Sequence, residues 1–203
     1  MPAKPKSRRQ VLTDFRRSEI LDAALKLFGK KGFAETRMDD VAEKAKVAKG
    51  TLYLYFSSKE EIYEAAISQA AQEQKESMQR AMTGVTGTVN RLRVFLTTRM
   101  SFWATQPNLY RMLVTIGRER RHRKQTHGLL QTTVKELVEI FEDGVRAGEL
   151  PARDFEPVGW ALMDLLRGMN ERRMYGEANH TPEQDTATIL SFVLPVVGLS
   201  DQA

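Results

Sequence analysis

The 203 residues carry a formal charge of +5, 41% hydrophobic side chains and no cysteine, enough chain to bury a sizeable core in one or two small domains. The missing thiols exclude disulfides, a cysteine nucleophile and a thiolate metal site, which fits a reducing, cytoplasmic setting. No apolar run approaches the length of a membrane span and no signal-peptide pattern precedes the first helix, so no membrane partner is expected.

The charge is uneven. Residues 1–59 hold 14 Lys+Arg against 7 Asp+Glu, and the remainder holds 17 against 19. A basic head on a near-neutral body points to a polyanion bound at one end. Helix formers are common and alternating strand patterns are absent, so the chain reads as all-α.

Residues 1–14 (MPAKPKSRRQVLTD) are polar, with two prolines and Lys4, Lys6, Arg8 and Arg9. They read as a basic flexible arm, either solvated or laid along phosphates or in a minor groove. Residues 18–31 form an amphipathic helix with Ile20, Ala24, Leu27 and Phe28 inward and Gly32 past its end. Thr36 is expected to cap a second helix, whose Asp39 and Asp40 suit the positive end of the dipole. Val41, Ala42 and Ala45 give that helix a narrow apolar face. After a break at Lys46-Val47, a third helix fits residues 48–55. Leu52 and Phe56 face inward with Val47, leaving Lys49, Thr51, Tyr53 and Tyr55 largely outward. Two tyrosines, a threonine and a lysine on one short outward face suit phosphate oxygens and base edges, as in a helix-turn-helix.

A long polar helix starts after Ser57-Ser58, with Glu60 and Glu61 in its first turn and Gly84 and Gly87 at its end. Leu92, Phe95, Leu96 and Trp103 stripe the next helix, which stops near Gln106-Pro107. Tyr110, Leu113 and Ile116 mark a shorter one that runs into a charged stretch, residues 118–124, expected to be a solvated turn. Leu130, Val134, Leu137, Val138, Phe141 and Val145 stripe a helix that Gly148 stops. Asp154 can cap the following one, striped by Val158, Leu162, Leu165, Leu166 and Met169. Thr181-Pro182-Glu183-Gln184 is a strong start signal for the last helix. Residues 189–197 are apolar nearly all round, more than one subunit's core can cover, which calls for a partner subunit. Pro195 is expected to kink or end that helix.

The head is similar to the DNA-binding domain of the TetR family of one-component transcriptional regulators. The matching pieces are the run from Ile20 to Phe28 with Gly32-Phe33, then Thr36 with Val41-Ala42. They continue with Lys49-Gly50-Thr51-Leu52-Tyr53, Tyr55-Phe56 and Lys59-Glu60. Together they span about residues 16–65. The chain departs from the family pattern at Lys46, where glycine is usual because φ is positive, and at Ala48, where serine commonly caps the reading helix. The resemblance implies a three-helix helix-turn-helix DNA-binding domain over residues 15–60. A helical ligand-binding and dimerisation bundle over residues 61–203 follows, pairing as a homodimer through the last two helices. It implies double-stranded operator DNA as partner, pseudo-palindromic to match the dimer, and a repressor released by a small, largely apolar effector.

The expected DNA-facing set is Thr36, Ala48, Lys49, Gly50, Thr51, Tyr53, Tyr55 and Lys59. Lys49 and Gly50 lie at base edges, and Thr51, Tyr53, Tyr55 and Lys59 at phosphates. Phe95, Arg99, Trp103, Phe141 and Asn170 are expected to wall an effector cavity, with Arg99 and Asn170 as anchors for an acidic or carbonyl group. The rival expectation is a filled core, with control through abundance or a protein partner. No cofactor or metal is expected. His122 and His127 are five apart and His180 stands alone, Gly29-Lys30-Lys31-Gly32 is not a phosphate loop, and no catalytic triad can be read. The chain does not read as an enzyme.

Overall fold

A reciprocal capping box starts the first helix: the Gln10 amide donates to Ser7 Oγ (3.2 Å) and the Ser7 amide to Gln10 Oε1 (2.9 Å). This α1 runs Arg8–Lys31, so the flexible arm expected over residues 1–14 is corrected: from Arg8 onward it is helix. The Ser-x-x-Gln start outweighs the polar composition. The computed structural model describes residues 7–117 and 122–200; Lys4 and Lys6 of the expected arm fall outside them.

The other described helices are α2 (Met38–Lys44), α3 (Lys49–Tyr55), α4 (Lys59–Met82), α5 (Thr88–Thr105), α6 (Pro107–Ile116), α7 (Arg123–Arg146), α8 (Glu156–Met174) and α9 (Pro182–Val197). No strand occurs among the described residues, and the fold is all-α. None of the described helices is long and apolar enough to cross a membrane. The charged stretch expected as a turn lies largely outside the described residues, at 118–121.

The start signals act locally. Ser58 accepts from the Glu61 amide (3.1 Å) to open α4. Asp154 accepts from the Glu156 amide (2.9 Å) at the start of α8. Thr181 and Gln184 form a capping box at α9. Pro195 does not end α9, which runs two residues further before Gly198 (φ 85°) turns the chain.

Two apolar cores result. The first joins Ile20, Ala24 and Phe28 of α1 with Val41, Leu52 and Phe56, and is completed by Ile62–Ala70 of α4 and by Leu109, Met112 and Ile116 of α6. The second holds Leu92, Phe95 and Leu96 of α5 with Leu137 and Phe141 of α7, Leu162 and Leu166 of α8, and Ile189, Leu190 and Leu194 of α9. Helix α6 therefore belongs to the head's core although it lies far along the chain. Gly29 makes that seating possible, because a Cβ there would come within 2.6 Å of Asn108 Oδ1. Leu165, expected in the α8 stripe, is instead 37% exposed.

Candidate nucleic-acid interface and effector cavity

Helices α2 and α3 meet at Lys46, the one non-glycine residue among those described with a positive φ, 55°. The Lys46 amide returns to Glu43 O (3.1 Å) and the Val47 amide to Ala42 O (3.0 Å), which closes α2. Leu52 and Phe56 then pin α3 to the core at 0% and 1% exposure. The opposite face presents Lys49 and Gly50, both exposed, with Tyr53 at 45% and Leu54 at 84%. Thr51 and Tyr55 are half-buried. Ala48 is the N-cap and makes no side-chain cap bond. Open space surrounds Gly50, so a base pair or phosphate can approach its backbone closely. Leu54 is the exposed residue that sequence patterning missed.

Two members of the expected DNA-facing set are placed differently. Thr36 is fully buried and does not cap α2. Its hydroxyl donates to Gly32 O (2.7 Å) and its amide to Phe33 O (3.3 Å). Arg37 takes the cap position instead, and its amide donates to Asp40 Oδ2 (2.9 Å). This bond, with the ammonium of Lys31 behind it, holds the Asp40 carboxyl below its ordinary pKa. Lys59 also turns inward: Nζ donates to Phe33 O (2.7 Å) and Ala34 O (3.0 Å) and lies over the Phe33 ring. Lys49 does face outward, but Asp39 holds it in an ion pair.

A cavity of about 450 Å³ opens in the body, within the size range of small-molecule sites. The volume argues against a filled core. Ile67, Ala70 and Gln74 of α4, Trp103 of α5, Tyr110, Leu113 and Val114 of α6, and Leu129, Leu130, Met163 and Leu166 of α7 and α8 make most of its wall. Of the five expected wall residues, Arg99, Trp103 and Asn170 line it. Phe95 and Phe141 do not: both belong to the second core, where Phe141 stacks on Phe155 with centroids 5.0 Å apart.

The expected anchors are partly committed. Asn170 Nδ2 donates to Leu166 O (2.9 Å), and its Oδ1 accepts from Arg173 (3.2 Å). Arg99, with 15% of its side chain exposed, lies 3.6 Å from Glu136 and donates to Thr133. Burial lowers the Arg99 pKa to about 10, against the opposing pull of Glu136, so it stays charged at neutral pH. The same burial raises the Glu136 carboxyl. Tyr110 was read from sequence as a helix stripe; it also shapes the cavity, donating to Arg167 O (3.1 Å) and lying 5.3 Å from the Trp103 ring. Gln74, missed because it sits on a polar helix, is 6% exposed, and its Nε2 has no partner.

Residues 20–66 match the model of the family described as "Bacterial regulatory proteins, tetR family". Over these residues the chain carries a TetR-family head. It is 25% identical over 194 residues to the uncharacterized HTH-type transcriptional regulator YfiR of Bacillus subtilis (strain 168), covering 93% of this chain and 95% of YfiR. Over 51 residues it is 39% identical to IcaR of Staphylococcus aureus (strain Newman), the negative transcriptional regulator of the biofilm operon icaADBC. That match covers 25% of this chain and 27% of IcaR. The fold is similar to that of the transcriptional regulator FadR from Bacillus subtilis in complex with stearoyl-CoA, with TM-score 0.76 and 19% identity over 87% of this chain and 96% of that one. With this head, the protein is a DNA-binding transcriptional regulator.

Proposed function

We propose that the protein is a cytoplasmic homodimeric repressor that binds a pseudo-palindromic operator and is released by a small, largely apolar effector held in the 450 Å³ cavity. The observation that carries this reading is the double use of α4 and α6. Ile67 and Ala70 of α4 both line the cavity and belong to the head's core. In α6, Leu109, Met112 and Ile116 fill that core while Tyr110, Leu113 and Val114 face the cavity. A molecule that shifts either helix moves the base of the reading head.

Residues up to about 60 act as the head and the rest as the regulatory body. Lys49 and Gly50 read base edges, and Thr51, Tyr53 and Tyr55 meet phosphates. Leu165 of α8 and Phe192 and Val196 of α9, 64% and 63% exposed, supply the apolar face on which two subunits pair. Two-fold symmetry then sets the α3 helices one turn of DNA apart, about 34–36 Å, or a multiple. The IcaR likeness favours repression, and the stearoyl-CoA in FadR favours a ligand with an apolar chain.

Linkage fixes the size of the response. An effector that weakens operator binding tenfold must bind the DNA-free state tenfold better, about 1.4 kcal/mol of coupling. The test is to select operators from random duplexes with purified protein and then to screen small molecules for release. A monomer at micromolar concentration, or selection of asymmetric half-sites, overturns the dimeric reading. If no apolar compound weakens binding, the effector reading fails.

A further inference from the structure

We infer that the first nine residues of α1 form a second DNA-contacting surface, lying along the minor groove that flanks the site read by α3. This rests on the reading of the head as the operator-binding part, and extends it to a segment that reading does not use.

Every residue from Arg8 to Arg16 is exposed, and the first fully buried residue of α1 is Ile20. The helix thus projects roughly 13 Å beyond its own core before touching anything fully packed. Three large apolar side chains ride on that projection: Val11, Leu12 and Phe15, at 52%, 61% and 61% exposure. Among the described residues, none covers them.

Position and charge identify the occupant. A groove of about 600 Å³ runs between the projection and the end of α3, lined by Arg8, Arg9, Leu12, Phe15, Arg16 and Tyr55. The groove is therefore continuous with the reading face through Tyr55. Arg17 fixes the two parts, donating to Tyr55 O (3.4 Å) and resting 4.3 Å over the Phe56 ring. Three arginines in the wall make it a surface for a polyanion. Of the nearby acids, Glu19 is bound to Arg16 (2.8 Å) and Asp14 is outside the groove wall. Because the groove shares Tyr55 with α3, a duplex seated on α3 is the polyanion nearest to it. Arginines enter narrow, A·T-rich minor grooves, and Leu and Phe side chains pack against sugars and base steps there.

The experiment uses the full chain and a selected operator in two lengths: trimmed to the palindrome, or extended by A·T-rich flanks. The wild type is expected to bind the extended duplex at least tenfold more tightly. R8A/R9A/R16A should abolish that advantage and reduce the salt slope on the extended duplex by about 2–3, near 0.9 per lost phosphate contact. On the trimmed duplex it should match the wild type. L12A/F15A should lose the preference for A·T-rich over G·C-rich flanks while keeping the salt slope. Unchanged helical content and melting show that each variant is folded. Equal wild-type affinity for the two lengths, or an unchanged slope in the triple variant, overturns the inference. So does loss of dimer–dimer association or of anionic-vesicle binding with DNA binding intact. Failure of the wild type to select any operator instead removes the operator reading beneath it.

Discussion

Lys49 Nζ lies 2.7 Å from Asp39 Oδ1, so the residue proposed to read a base is held by the helix before it, with 62% of each side chain exposed. The hydrogen bond to Asp39, followed by its charge, raises the lysine's pKa. The lysine must exchange or share this partner when DNA arrives, because a guanine edge offers the same ammonium two acceptors.

Asp39→Ala is therefore expected to raise affinity for all duplexes several-fold, since a carboxylate leaves the face that meets phosphates. Lys49→Ala should relax preference at one operator position by roughly ten- to a hundredfold. Binding to randomised duplexes separates the two; an unchanged preference in the Lys49 variant removes it from base reading.

Lys59→Ala is expected to act on stability. The side chain donates to Phe33 O and Ala34 O, and hydrogen bonds from a charged group contribute about 1.5–3 kcal/mol. Denaturant unfolding should show a loss of that order, and the salt slope of DNA binding should stay as in the wild type. A slope reduced by about 0.9 would mean that Lys59 reaches a phosphate after all.

Trp103→Ala and Phe141→Ala should separate cavity from core. Trp103 lines the cavity, so its loss should change effector response while operator affinity persists. Phe141 is fully buried against Phe155, so truncation should cost about 3–5 kcal/mol of stability and leave effector selectivity alone. Titrations with effector alongside melting curves check both halves.

Phe192→Glu should split the dimer. Phe192 and Val196 lie one turn apart on the exposed face of α9, and a charge there stays unpaired when two subunits meet. Sedimentation should show monomer at micromolar concentration, and operator affinity should fall more than tenfold.

Acid should loosen the joint between α3 and α4. The amide and hydroxyl of Ser57 both donate to Glu61 Oε2 (2.7 and 2.8 Å), and they hold its pKa below the ordinary 4.5. The folded pKa is the lower one, so this stabilisation is fully present above pH 4.5 and is lost as pH falls through the folded value. Glu61→Gln should unfold more easily at neutral pH and show a shallower decline of stability below pH 4.5, as followed by denaturant midpoints.

The helices were legible because their start and stop signals are local: Ser58, Thr181 with Gln184, Gly32 and Gly148 act within one turn of themselves. The inward residues of α3 were legible for the same reason, since Leu52 and Phe56 share a face by spacing alone. Thr36 was not, because a hydroxyl can bond the amides ahead or the carbonyl behind, and only the packed loop selects Gly32 O. Phe95 and Phe141 show the limit of periodicity. Spacing tells which side chains turn inward; whether another side chain or an empty volume lies opposite depends on helices distant in the chain.

The seating of α6 against α1 bears on recombination. An exchange of heads between relatives, cut after residue 60, would strip Leu109, Met112 and Ile116 from the core they complete and bring Gly29 against a foreign helix. Cavities of that size in a small core cost several kcal/mol. A functional chimaera therefore has to carry α6 along with its own head, and the seam at which this protein can be exchanged is discontinuous in the chain.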